Sequence, residues 1–302
     1  MNVAIAVAAS IAAGLAMAAE GLLQQAAASA GPAEEDTPTM LRRVIRSPPW
    51  WIGLGSAACA YGFQALALTF GPLSLVQPII VSEMLFAVPL SARRQGVRLG
   101  ARAWLSVSAV VAGLALGLGL AQPRQGDPLA PTITEWAYAL VAAAFITAAA
   151  VMAAHIIDGP ARASVYAVAG ATMLALQSAL YDASIQLLGR DGPGVFTHWQ
   201  AYALIAASVL GLVLVQQAYK AGPLPASLPV IDAVLPIGAI VLGLGLFGET
   251  VNTRWWGLAG AGVGVALLVA GIISLDTSRA VRKQQKLQQQ HCAEPEQARR
   301  PR

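Results

Sequence analysis

Residues 71–79 read GPLSLVQPI, and residues 222–230 read GPLPASLPV. Gly71, Pro72, Leu73 and Pro78 recur as Gly222, Pro223, Leu224 and Pro229, at an offset of 151 residues. That offset is half the chain. Carried forward, it sets Trp104 on Trp255 and Gly113 on Gly264. AVAASIAAGL (6–15) is likewise similar to AVAGATMLAL (167–176), at an offset of 161. In both stretches Gly-Pro separates two apolar runs. Pro in a first helical turn costs nothing, because its missing N–H would be unpaired there. Each stretch therefore reads as a tight joint between two helices, the second of which carries an internal Pro.

The rest of the chain says what kind of helices these are. Of 302 residues, 57% are hydrophobic and 11% are charged, and mean hydropathy is +0.62. A soluble domain carries roughly 25% charged residues. Soluble, disordered and disulfide-stapled classes are excluded, and an integral membrane protein remains. A bilayer core takes about 20 apolar residues per helix. Nine spans meet that length, at 3–27, 50–70, 73–92, 103–121, 135–157, 163–188, 198–219, 223–247 and 256–275. The first starts with no basic residue and contains Glu20, so it reads as a membrane helix rather than a signal peptide. Trp50, Trp51, Trp104, Trp136, Trp199, Trp255 and Trp256 fall at span ends, as an interfacial belt would place them.

Charge follows the same division. Sixteen Lys and Arg fall in alternate loops and the C-terminal tail, among them Arg42, Arg93, Arg162, Lys220 and Arg279. The opposite side holds Arg124, Arg190 and Arg254. The positive-inside rule turns the basic side to the cytoplasm, with the N-terminus outside and the C-terminus inside, in the plasma membrane. The excess of +4 is thus topology, with no nucleic-acid partner implied. The reading is an all-α polytopic membrane protein in which helices 1–4 recur as helices 6–9 and helix 5 is extra. Matching spans lie five apart, an odd number, so the repeat is inverted. Residues 1–121 form the first repeat and 122–275 the second. The polar, basic tail at 276–302 is expected to be disordered.

On these marks the chain resembles the drug/metabolite transporter superfamily. The marks are the helix–Gly-Pro–helix–Pro elements at 65–83 and 216–232, and LFGETVNTRWWGLAGAGVGVAL at 246–267. The last is similar to that superfamily's Glu after the fourth repeat helix, here Glu249, followed by a Gly-rich helix. Nine spans with Pro-centred third and eighth members also resemble the NIPA-type magnesium transporters. The resemblance implies transport of a small solute, and the NIPA branch implies magnesium or another divalent cation. The first repeat departs from it, with Arg93-Arg94 where an acid would stand.

The spans hold four acids, Glu20, Glu83, Asp182 and Asp232, and no Lys or Arg. A charge at a helix centre costs at least ~2.5–3.5 kcal/mol on insertion scales. Without a basic partner, such acids are protonated, hydrogen-bonded or paired with a bound cation. A cationic substrate or a coupled proton fits this, and an anionic substrate does not. Gln24 lies one turn from Glu20, and Gln186 one turn from Asp182. Pro78 and Pro229 break helical hydrogen bonds and free carbonyls one turn back. Carboxylates with carbonyls suit a hard cation. The expected substrate or proton site is therefore Glu20, Gln24, Glu83, Asp182 and Asp232, with Pro78 and Pro229 as helix breaks. If a metal is carried, Asp232 and Glu20 hold it. The other reading of these residues is structural, with protonated acids as hydrogen-bond partners and prolines as kinks.

Enzyme chemistry finds no support. His155, His198 and His291 fall on different sides or in the tail, and no cofactor is expected. GLGLFG (243–248) matches GxGxxG but follows no strand, so it reads as an accident of composition. Cys59 and Cys292 read as unpaired thiols. The Gly113/Gly117 and Gly260/Gly264 pairs let helices approach closely. They serve internal packing or a homodimer. The function expected is a secondary transporter working by alternating access. The contrasting reading is a non-transporting accessory subunit.

Overall fold

The computed structural model describes residues 2–28, 46–81, 83–94, 101–158, 160–221 and 224–276. Among them are ten α-helices. They are α1 Val3–Ala28, α2 Pro48–Phe70, α3 Leu73–Val81, α4 Met84–Arg94, α5 Ala101–Ala121, α6 Ile133–Ile156, α7 Pro160–Asp191, α8 Trp199–Ala221, α9 Leu224–Gly245 and α10 Trp255–Asp276. A 3₁₀ turn at Gly192–Thr197 follows α7. Five helices, α1, α2, α6, α7 and α8, are long and apolar enough to cross a bilayer. Their outward faces carry bare hydrocarbon, as in Phe145, Met152 and Ile156 on α6. In water that surface would be unsupportable; in lipid it is the expected coat. The protein is an all-α membrane protein. The tail at 276–302 lies beyond the described residues, except for Asp276.

α7 is the hub. It packs on α6, α8 and α9, and its inward face is mostly Ala and Ser, which lets three neighbours come close. α1 packs along α2, and α3 lies between α1, α7 and α9. α5 and α10 form a separate close pair. A β-carbon on Gly264 would overlap the backbone of Gly117, so both GxxxG pairs are spent on one intramolecular contact.

One expectation is refined and one is corrected. The stretch 73–92, read as one span, is broken into two helices that meet near Glu83. Pro78 and Pro89 cannot donate to the carbonyls four residues back, which weakens the helix on both sides. The Glu83 N–H then bonds Ile80 O at 2.9 Å, one residue short of helical spacing. Trp136, expected in the interfacial belt, is buried instead. It stands edge-on to Trp199 and Phe247, with ring centroids 5.3 and 5.9 Å away.

Candidate functional site

Two groups of polar residues inside the bundle lie at the two ends of α3. At its C-terminal end, Glu83 sits half-buried at the helix break. Gly14 of α1 makes room for it: a β-carbon there would lie 3.3 Å from Ile80 O and 3.5 Å from Glu83 N. Glu20, one and a half turns further along α1, is close enough for its charge to act on Glu83. Tyr61 of α2 feels both carboxylates. Tyr181 of α7 closes the group, with its hydroxyl donating to Tyr61 O at 2.8 Å and the rings edge to face. The structure thus joins two of the predicted acids, Glu20 and Glu83, and adds two tyrosines. The side chain of Gln24 lies outside the described residues.

The N-terminal end of α3 is held by Glu249. After α9 the chain turns back through Gly248, whose φ of +65° suits glycine, and the Glu249 N–H bonds Gly243 O at 3.0 Å. That fold aims the carboxylate at the first turn of α3. Its two oxygens accept from Leu73 N at 2.5 Å and Ser74 N at 3.0 Å. Helix N-termini carry unpaired N–H groups and a partial positive charge, so a carboxylate is a fitting cap. Gly243 packs under the carboxylate, where any β-carbon would overlap it. GLGLFG was read as an accident of composition, yet two of its glycines are needed for this turn. Burial holds the Glu249 carboxyl above its ordinary value of 4.5, against the pull of its hydrogen bonds.

Asp182 of α7 lies close enough to feel the Glu249 charge. It is 2% exposed, and Gln186 hydrogen-bonds it from the next turn, as the i, i+4 spacing predicts. Gln186 Nε2 also reaches Leu68 O at 3.4 Å, and Gln125 Nε2 reaches the same carbonyl at 3.2 Å. Asp182 Oδ1, Ser74 Oγ and Gln77 Nε2 are buried with no hydrogen-bond partner among the described residues. Buried polar atoms are nearly always paired. Three such atoms thus lie on two touching helices, where a polar guest would find partners.

The other predicted residues fall elsewhere. Asp232 is half-buried on α9, the helix that packs on α3 and α7. Pro229 lies on the same helix, one turn earlier, and its side chain is outside the described residues. Pro78 is buried in α3 between the two groups. His198 bonds Asp191 at 2.9 Å, and His155 Nδ1 meets Val151 O at 2.7 Å, so the two share no site. His291 and Cys292 lie outside the described residues, and Cys59 is exposed. Among the described residues, no three of His, Cys, Asp and Glu converge as a metal site. Glu249 was noted in the sequence only as a family mark. Its partner, the amino end of α3, is 176 positions away, so no local signal could reveal the contact.

No known protein family and no solved structure matches the chain. It is similar to a protein of Corynebacterium glutamicum described as uncharacterized. Identity is 29% over 238 residues, which is 78% of this chain and 81% of the relative.

Proposed function

We propose that the protein is a secondary transporter of the drug/metabolite transporter type, moving a small cationic solute or a proton-coupled metabolite by alternating access. The observation that carries this reading is the broken α3–α4 element. Discontinuous helices are where transporters hold substrates and coupling ions near the membrane midplane, and here carboxylates lie at the break and at the capped end. Asp182 and Glu83 are the proposed substrate or proton carriers, with Glu20, Gln186 and Ser74 beside them. α3 with α4 counts as one span in this reading, which gives nine. The helix contacts support an inverted repeat. α1 packs on α2 as α7 packs on α8, while α3 meets α9 and α5 meets α10. Gly113 and Gly264, equivalent by the offset of 151, face each other across the α5–α10 contact. The N-terminus is outside and the C-terminus cytoplasmic in the plasma membrane. A divalent ion of the NIPA kind would need main-chain and amide oxygens to complete its shell around two carboxylates.

The test is flux in proteoliposomes, with one interior dye for pH and one for magnesium. Wild type is compared with Asp182→Asn and Glu83→Gln, each checked for folding by its melting curve. Proton or organic-cation flux that both variants lose, while still folded, supports the reading. Magnesium flux lost in the same variants moves the substrate to a divalent ion. Wild-type liposomes silent to protons, organic cations and magnesium refute it in favour of an accessory subunit.

A further inference from the structure

The end of the bundle that carries the loops at 122–132 and 246–254 is poor in cations, and they are not evenly used. Arg190 is paired with Asp191 at 2.9 Å and also feels the charge of Asp127. Arg124 and Arg254 are different. Neither guanidinium is paired with a carboxylate among the described residues, and both line one polar cavity of about 540 Å³. The loops that hold them are joined by main-chain bonds in both directions, Arg124 N to Thr250 O at 2.8 Å and Thr250 N to Arg124 O at 3.3 Å. Asn252 fixes the rim, its N–H bonding Ala121 O at 2.7 Å and its side chain accepting from Arg254 N at 3.1 Å. Arg254 lies over the Trp256 ring at 4.9 Å, which holds that guanidinium in place by cation–π attraction. The lining contains Gln122, Thr250 and Thr253 and no acid.

We infer that this cavity binds a phosphate group, with Arg124 and Arg254 as its two anchors. Two guanidiniums in one acid-free cavity repel each other until an anion bridges them. Their planar forks match the oxygens of a phosphate, and hydroxyl and amide donors stand around them. None of the acids around α3 lines the cavity, although Glu249 is the chain neighbour of Thr250, and a cationic or proton substrate would be repelled from it. Trp255 and Trp256 put its depth at that of lipid headgroups. The same chemistry is presented by a phospholipid headgroup and by a free phosphate, and the experiment separates them.

Full-length protein in detergent is examined in two arms. Native mass spectrometry counts retained phosphatidylglycerol, and calorimetry follows inorganic phosphate. Wild type is compared with the Arg124→Gln/Arg254→Gln double variant, with each single Gln variant, and with Arg190→Gln. The expected result is binding in at least one arm, weakened about tenfold or more in the double variant and unchanged in Arg190→Gln. Lipid alone retained identifies a headgroup site. Phosphate that binds and displaces lipid identifies a free-anion site. The inference is overturned if wild type binds in neither arm. It is also overturned if the folded double variant binds as wild type does. Should the double variant not fold, unchanged binding in both folded single variants overturns it equally.

Discussion

Removing the Glu249 cap has a cost, and it reverses the sign of a second substitution's effect. Glu249→Ala takes away two charge-assisted hydrogen bonds, from Leu73 N and Ser74 N, and leaves both donors buried. Such bonds are worth about 1.5–3 kcal/mol each, so the loss is about 3–6 kcal/mol. At about 2 °C per kcal/mol, apparent melting in detergent falls by about 6–12 °C. Gly243 supplies the check. In wild type, Gly243→Ala drives a methyl group into the carboxylate, which must swing off the amides, so melting falls. In the Glu249→Ala background that clash is gone. There Ala in place of Gly within α9 gains about 0.5–1 kcal/mol from the stiffer unfolded chain, and melting rises. The two substitutions are then coupled by about 2 kcal/mol or more in a double-mutant cycle. Gly243→Ala changing melting in the same direction in both backgrounds would show that the carboxylate does not sit on Gly243, and the cap would be lost as an explanation.

The α5–α10 contact predicts opposite outcomes for two glycines of one helix. Gly264→Ala meets backbone that cannot yield and should cost about 1–3 kcal/mol, whereas Gly262→Ala, with open space around it, should be neutral or stabilising. Equal melting temperatures for the two would contradict the packing. Glu249 also predicts a pH dependence. Its folded value lies above the ordinary 4.5, so the folded state holds this proton more tightly than the unfolded state does. The stability so contributed is complete below about 4.5 and is lost as pH rises through the raised value. Wild-type melting should therefore drop relative to Glu249→Gln across that rise. A difference that stays flat or grows with pH counts against it.

Composition and pattern carried much of the fold into view. Low charge and long apolar runs give membrane helices because no other class can place so few polar groups. The Gly-Pro joint at 71–72 was legible because Pro and Gly act locally, and the i, i+4 spacing of Asp182 and Gln186 because a helix turn is local too. What stayed hidden depends on contacts distant in sequence. Trp136 looks like any other Trp at a span end until Trp199 and Phe247 arrive from α8 and the end of α9. The break at Glu83 follows from prolines on both sides, but the glycine that lets α1 pack against it, Gly14, is distant in sequence. The Glu249 cap joins residues from opposite halves, and no periodicity records such a pairing.

The position of α3 gives the two acid groups a mechanical relation. Nine residues of helix span about 13.5 Å and move as one rigid rod. Its amino end is held by Glu249, next to Asp182, and its other end meets Glu83 and Glu20. In the proposed cycle a proton or cation arriving at one end changes the hold on the rod, and the other end feels the displacement. Magnitudes say how far one end can drive the change. A carboxylate at a helix N-terminus is worth at most about 2 kcal/mol in charge–dipole attraction. Turning a 1:99 equilibrium into 99:1 takes about 5.5 kcal/mol. Protonating Glu249 alone therefore falls short of throwing the switch. The remainder has to come from the Glu20–Glu83 pair, where neutralising one carboxylate relieves like-charge repulsion in a poorly solvated site. In the proposed cycle a full response then takes a change of charge state at both ends of α3, and that requirement would couple one event to the other.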